Sequence, residues 1–356
     1  MASSLPLTRA KSAAKTPKEA PEKVPQEVPQ EVPKPSRKLA DKAWWPWFKR
    51  GATALFFIAV ASLLVTQART IDWTEVLASL QRYPLRTLAA ALALAVVSFT
   101  LYSCFDLLGR RYTGHALGTG SVMLVTFISY AFNLNLGSLV GGVAFRYRLY
   151  SRLGLRAGLT TRIMTLSMLT NWTGYLLLGG LVFSLLPPTG LPASWKIDSA
   201  QLRYVGLALV ALAGGYLALC AFSRQRTLQW RGHAIELPSP QMASLQLLMG
   251  AGNWLVMSGI VFILLQQRIE FSAVVGVLLL AAIAGVITHI PAGLGVLEAV
   301  FVALLSHQMP RHELLAALVA YRVIYYLLPL ALASALYFVM EAKAKKLGKT
   351  AKQTNA

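Results

Sequence analysis

The chain has 356 residues, 56% hydrophobic and 13% charged, and 34 Lys and Arg against 14 Asp and Glu give a net charge of +20. A soluble domain carries about 25% charged residues, so the composition excludes an ordinary soluble enzyme and predicts an all-α polytopic membrane protein. The basic residues flank apolar runs, which points to membrane orientation and anionic lipid rather than to nucleic acid.

Residues 1–43 are rich in Lys, Pro, Glu and Gln and contain the repeat Val24-Pro-Gln-Glu-Val-Pro-Gln-Glu-Val-Pro33. Such a stretch cannot build a core and reads as a disordered cytoplasmic tail. It shows no small-residue cleavage site of a secretory signal. Trp44, Trp45, Trp47, Phe48, Lys49 and Arg50 form an aromatic and basic girdle suited to headgroup level. A first span is predicted over Ala52–Thr66. Trp73, Val76, Leu77 and Leu80 then recur at helical spacing, the mark of a helix lying on the membrane surface. A span over Thr87–Leu108 follows. Asp106 lies four residues before Arg110 and reads as a local helix pair.

Ser121–Phe132 is apolar and meets Asn133-Leu-Asn-Leu-Gly-Ser-Leu-Val-Gly-Gly142, followed by Arg146, Arg148, Arg152 and Arg156. A full crossing would carry these arginines outside, against the positive-inside rule; a re-entrant hairpin turning back at 133–142 keeps them inside. Further spans are predicted over Met164–Leu186, residues 202–222 and Leu245–Leu265, with a small hairpin near Trp230–Pro238. Cys104 and Cys220 fall in apolar spans and read as core residues.

Phe271–Ile290 runs into Thr288-His-Ile-Pro-Ala-Gly-Leu-Gly-Val-Leu-Glu298. Pro291 removes a backbone donor, and Gly293 and Gly295 permit angles other residues avoid. The helix should break there and restart as a half-helix over Gly293–Ser306. A last span over Leu314–Val339 precedes a basic cytoplasmic tail, residues 341–356. The count is about seven to eight spans across a domain of residues 44–340. Setting Gly137 against Gly293 aligns Val140 with Val296, Phe145 with Phe301 and Leu149 with Leu305. Two breaks of opposite direction in corresponding places are the pattern of an inverted repeat with its site at discontinuous helices.

Glu298 and Arg322 stand inside apolar segments, where an unpaired charge costs about 2.5–3.5 kcal/mol by insertion scales. They are expected to pair or to share a polar cavity, with Arg146 as a third member. A guanidinium grips phosphate with a planar fork; the carboxylate either meets an amine headgroup or neutralises Arg322. Asn133, Asn135, Ser138, Tyr325 and Tyr326 offer hydrogen bonds, and Gly293 and Gly295 open the backbone at the break. His289 reads as a packed or interfacial histidine. No metal spacing, nucleophile elbow or Walker loop occurs, so neither an enzyme nor a cofactor is expected.

Two motifs, Asn133…Gly137-Ser138…Gly141-Gly-Val-Ala-Phe-Arg146 and Pro291-Ala-Gly-Leu-Gly-Val-Leu-Glu298, resemble the lysylphosphatidylglycerol synthase transmembrane-region family over roughly residues 45–340. The chain departs from the usual pattern at Leu136 and Gly142, where many members have proline and glutamate, and at Ala292, where glycine is common. The resemblance implies lipid translocation without the soluble synthase domain: a bacterial inner-membrane flippase for an anionic or aminoacylated phospholipid, both termini cytoplasmic. The substrate-binding set is then Asn133, Ser138, Arg146, Gly293, Gly295, Glu298, Arg322 and Tyr325. A small-solute or ion transporter, or a lipid-binding scaffold, are the competing readings.

Overall fold

The computed structural model describes residues 73–188, 191, 198–223, 227–230 and 233–340. The two tails, the girdle and the first predicted span lie outside these residues. Ten helices follow in order among the described residues: α1 Trp73–Gln81, α2 Leu85–Thr113, α3 Thr119–Leu136, α4 Phe145–Arg152, α5 Ala157–Leu185, α6 Ser199–Phe222, α7 Pro240–Leu264, α8 Phe271–Thr288, α9 Val296–Leu305 and α10 Arg311–Met340. Seven of them, all but α1, α4 and α9, are long and apolar enough to cross a membrane. The predicted hairpin exists as β1 Thr227–Trp230 and β2 His233–Glu236, joined antiparallel.

Local chemistry sets the ends. Extended Pro84 precedes α2, and Gly114 closes it in the left-handed region, its N–H donating to the Arg110 carbonyl at 2.8 Å. Asp198 and Gln201 form a reciprocal capping box at the start of α6. Ser239 caps α7, with Pro240 at its first turn. Glycines bring the long helices to backbone contact. A Cβ on Gly174 of α5 would lie 2.2 Å from the Gly250 carbonyl carbon of α7, and one on Gly206 of α6 2.4 Å from the Ser184 nitrogen. Such close approach replaces the hydrophobic drive that lipid does not supply. The helix predicted from the Trp73–Leu80 spacing is α1; it packs on α10, with Leu77 exposed and Leu80 against the core.

Two helical hairpins occupy the bundle. In the first, α3 ends at Gly137 (φ 85°), and a π-helical stretch, Ser138–Ala144, leads back into α4. The limbs touch at their backbones: a Cβ on Gly141 would meet the Asn133 nitrogen at 2.1 Å. Phe132 stacks on Phe145 at 4.1 Å. In the second, α8 ends at His289 (φ 54°), passes through a 3-10 turn at Pro291–Gly293 and returns as α9. The half-helix starts at Val296, not Gly293, because Ala292, Gly293 and Gly295 all take positive φ (58°, 55° and 77°).

The hairpins enter from opposite ends. Arg110 Nη1, late in α2, donates to Thr119 Oγ1 at the start of α3 at 2.7 Å, so the base of the first lies where α2 finishes. Tyr83 Oη, just before α2, donates to the Leu264 carbonyl at the end of α7 at 2.6 Å, and Arg268 pairs with Glu313. The base of the second hairpin therefore lies where α2 begins. Ser98 Oγ, near the middle of α2, donates to Asn253 Oδ1, near the middle of α7, at 2.8 Å. The inverted order α2-hairpin-α5 and α7-hairpin-α10 is the one predicted from the two breaks.

One pairing differs from expectation. Asp106 does not pair with Arg110. It is fully buried, accepting from Arg146 Nη2 at 3.1 Å and Tyr150 Oη at 2.8 Å. An exposed helix pair contributes only a few tenths of a kcal/mol, whereas Asp106 faces the returning limb of the first hairpin, where a buried carboxylate requires a cation.

Candidate functional site

The two hairpin tips meet around a cavity of about 670 Å³. Asn133, Leu136, Gly137 and Ser138 contribute from the first tip, and His289, Ala292, Gly293 and Leu297 from the second. The walls are aromatic: Tyr102 of α2, Tyr130 of α3, Trp172 and Tyr175 of α5, Trp254 of α7, and Tyr321 and Tyr326 of α10. Asn171 adds an amide. No Asp, Glu, Lys or Arg lines the cavity among the described residues. Leu136, Trp172 and Val286 both line it and lie open at the surface, 48%, 42% and 51% exposed. Trp172 sits near the middle of α5, so the opening is sideways, at mid-length of the bundle.

Of the predicted site residues, Asn133, Ser138 and Gly293 line this cavity. Glu298 and Arg322 do pair, immediately behind the second tip. Arg322 Nε donates to Glu298 Oε1 at 2.7 Å and Nη2 to Oε2 at 3.1 Å, the bidentate fork. The same guanidinium donates to the Ala292 carbonyl at 2.7 Å and the Gly293 carbonyl at 2.9 Å. It also lies 5.0 Å from the Tyr326 ring centre. Four of its five N–H groups are thus spent on the hairpin. Gly295 serves as the left-handed residue before α9. This cluster holds the tip in shape and contributes no free charge to the cavity.

Arg146 does not join that cluster. It is 2% exposed and held by Asp106, with Ser167 Oγ at 3.3 Å and the Tyr102 ring at 5.8 Å. Each hairpin therefore carries one internally neutralised ion pair, with the polarity reversed: the first hairpin brings the cation and the second the carboxylate. Neutral pairs satisfy the demand that buried charges be compensated, and this is why the expected three-residue cluster divides in two.

Tyr325 is fully buried in a polar chain. Ser98 commits its proton to Asn253, so Tyr325 Oη donates to Ser98 Oγ at 2.7 Å, and Tyr130 Oη donates to Tyr325 at 3.0 Å. Tyr130 stacks on Tyr102 at 3.5 Å and ends the chain at the cavity wall. Tyr325 and Tyr326 fall in a π-helical stretch of α10, Val323–Leu327. Such stretches leave carbonyls off the regular ladder; the Tyr326 carbonyl accepts from Asn135 Nδ2 at 3.2 Å. Arg322 and Tyr326 on one short length of α10 thus tie down both tips.

The aromatic wall was not foreseen, apart from Tyr326. A signal for part of it exists: Asn171-Trp172 and Asn253-Trp254 are two Asn-Trp pairs inside apolar helices, and Trp254 Nε1 donates to the Asn171 carbonyl at 3.4 Å.

Residues 52–333 match the family described as lysylphosphatidylglycerol synthase TM region. The chain belongs to this family. It is 48% identical over 304 residues to inner membrane protein YbhN of Escherichia coli, covering 85% of this chain and 95% of that protein. It is 33% identical over 287 residues to a protein of Synechocystis named as uncharacterised, covering 79% and 88%. A shorter likeness, 30% over 90 residues, reaches the phosphatidylglycerol lysyltransferase of Staphylococcus haemolyticus, covering 24% of this chain and 11% of that enzyme. The family and the seven apolar helices make the chain a multi-pass membrane protein related to lipid metabolism.

Proposed function

We propose that the protein is a lipid transporter of the bacterial inner membrane, moving a phospholipid headgroup through the cavity between its hairpin tips. The carrying observation is the position of that cavity: at mid-length, between tips of opposed hairpins, open sideways through Leu136, Trp172 and Val286. In this reading the hairpins are re-entrant, because irregular backbone at membrane depth is tolerated where it lines a cavity. A lipid keeps its chains in the bilayer while its headgroup enters from the side. The headgroup meets aromatic faces, amides and hydroxyls, which suit hydroxyl or amine groups. In this reading the arginine-rich end, with Arg111, Arg152 and Arg156 exposed, faces the cytoplasm, as the positive-inside rule favours. The family and the names of its relatives support an inner-membrane lipid partner of phosphatidylglycerol or aminoacylated type. The role is movement rather than group transfer.

The test is translocation of headgroup-labelled phosphatidylglycerol, its lysyl form and phosphatidylethanolamine in reconstituted liposomes. The informative variant is Gly285→Phe. Gly285 lines the cavity on α8, and a Cβ there meets nothing within 4 Å. The added ring fills the cavity without a backbone clash, so transport is expected to stop in a folded protein. Undiminished transport in that variant, or no lipid movement by the wild type, overturns the reading.

A further inference from the structure

A second cavity, of about 370 Å³, lies at the arginine-rich end, between the last turn of α2 and the start of α3. It is separated from the hairpin tips by the length of α3. Its polar lining is Arg110, Arg111, His115 and Thr119, and these groups present donors. The guanidinium groups have no acceptor atom. His115 Nδ1 accepts the Leu117 N–H at 3.3 Å, which places the neutral imidazole's proton on Nε2. That Nε2 is buried and has no hydrogen-bond partner. Thr119 Oγ1 already accepts from Arg110 Nη1 at 2.7 Å, leaving its own proton to give. Gly118 supplies no side-chain cap to α3, and a Cβ on Gly118 or Gly120 would meet nothing within 4 Å, so the backbone there is open to approach.

Among the described residues no acid lines this cavity. The sequence contains no Asp or Glu between Asp106 and Asp198, and Asp106 is committed to Arg146 and Tyr150. A buried donor without an acceptor is costly, and His115, which lines this cavity with Arg110 and Arg111, carries one at Nε2. An oxyanion with several acceptor oxygens answers all of these groups together. We propose that this cavity binds a phosphate group, carried either by inorganic phosphate or by a phospholipid headgroup, at a site distinct from the cavity between the hairpins. Arg110 and Arg111 hold the phosphate oxygens, and His115 Nε2–H and Thr119 complete their shell.

The full-length protein tests this in two arms. In neutral detergent, inorganic phosphate is titrated by calorimetry. In nanodiscs of phosphatidylcholine with and without phosphatidylglycerol, retained lipid is read by native mass spectrometry. Arg110→Gln/Arg111→Gln is the principal variant and His115→Ala a milder one. Arg156→Gln, exposed and outside the cavity, controls for general face charge, and thermal melting reports folding. Saturable phosphate binding, weakened about tenfold or more in the double variant and several-fold in His115→Ala but unchanged in Arg156→Gln, supports the site with a soluble ligand. The same pattern confined to phosphatidylglycerol retention supports it with a lipid ligand. Binding in neither arm, or equal loss in Arg156→Gln, overturns it. If the double variant fails to fold, Arg110→Lys and His115→Ala decide: unchanged binding in both overturns the proposal. None of these residues lines the hairpin cavity, so the result is independent of the transport reading.

Discussion

Removing Arg322 should cost far more than neutralising Glu298, because the guanidinium holds more than its ion pair. In Arg322→Met the carboxylate loses both charge-assisted bonds, and the Ala292 and Gly293 carbonyls lose theirs. Ala292 is a non-glycine residue at φ 58°, a conformation that costs about 1–2 kcal/mol and needs support from its surroundings. Breaking a fully buried pair costs about 3–5 kcal/mol. The side chains here are 11% and 22% exposed, so about 3 kcal/mol is the reasonable expectation. Glu298→Gln keeps an acceptor for Arg322 and leaves the two carbonyl bonds in place, so about 1–2 kcal/mol is expected. The double variant Glu298→Gln/Arg322→Met should fall short of the sum, since it no longer strands a carboxylate. Equilibrium unfolding in mixed micelles, run as a double-mutant cycle, measures all three. An Arg322→Met loss below about 1 kcal/mol, or strict additivity, would refute the view that this residue pins the tip.

Asp106→Asn leaves Arg146 without its counter-charge in a site where both side chains are almost wholly enclosed. A loss of about 3–5 kcal/mol in stability is expected, larger than for Glu298→Gln, and melting midpoints of the two variants check the order. Tyr83→Phe removes the 2.6 Å bond to the Leu264 carbonyl; a loss of about 1 kcal/mol is expected in the same unfolding assay. At His115, burial first and then the Arg110 cation disfavour the imidazolium, while Asp106 pulls weakly the other way, so the imidazole titrates below its usual 6.5. The folded state then binds fewer protons than the unfolded chain as pH falls. Its contribution is present above the unfolded value and is lost as pH drops through that range. Melting curves from about pH 7.5 down to about pH 5.5 should fall less steeply in His115→Ala than in the wild type.

The breaks were legible because glycines close to asparagines in the first, and to a proline in the second, interrupt apolar runs; the glycine pairs Gly179-Gly180 and Gly214-Gly215, without such neighbours, stay inside unbroken helices. The Glu298–Arg322 pair was legible for a related reason: two isolated charges in apolar surroundings must find each other. Asp106 was misread because a local partner, Arg110, stood four residues away, while the true partner returns from a hairpin forty positions later in sequence. Sequence spacing favours the near pairing; only the hairpin brings Arg146 to the carboxylate. The predicted half-helix begins at Gly293, three residues early, because the sequence marks where the helix breaks but not how long the turn runs; positive φ at Ala292, Gly293 and Gly295 extends the turn to Val296. The cavity's aromatic wall stayed hidden because it draws only one or two residues from each of five helices, and apolar periodicity does not say which aromatic faces inward when both faces are apolar.

The most direct measurement is photo-crosslinking from a phosphatidylglycerol with a photoreactive headgroup, in nanodiscs, with the labelled peptides mapped by mass spectrometry. Entry of the headgroup between the hairpin tips requires label on the α5 peptide containing Asn171 and Trp172 and on the tip peptide from Asn133 to Ser138, both suppressed in Gly285→Phe. Label found only at the two ends of the bundle, with these mid-length peptides unmarked, would contradict the account.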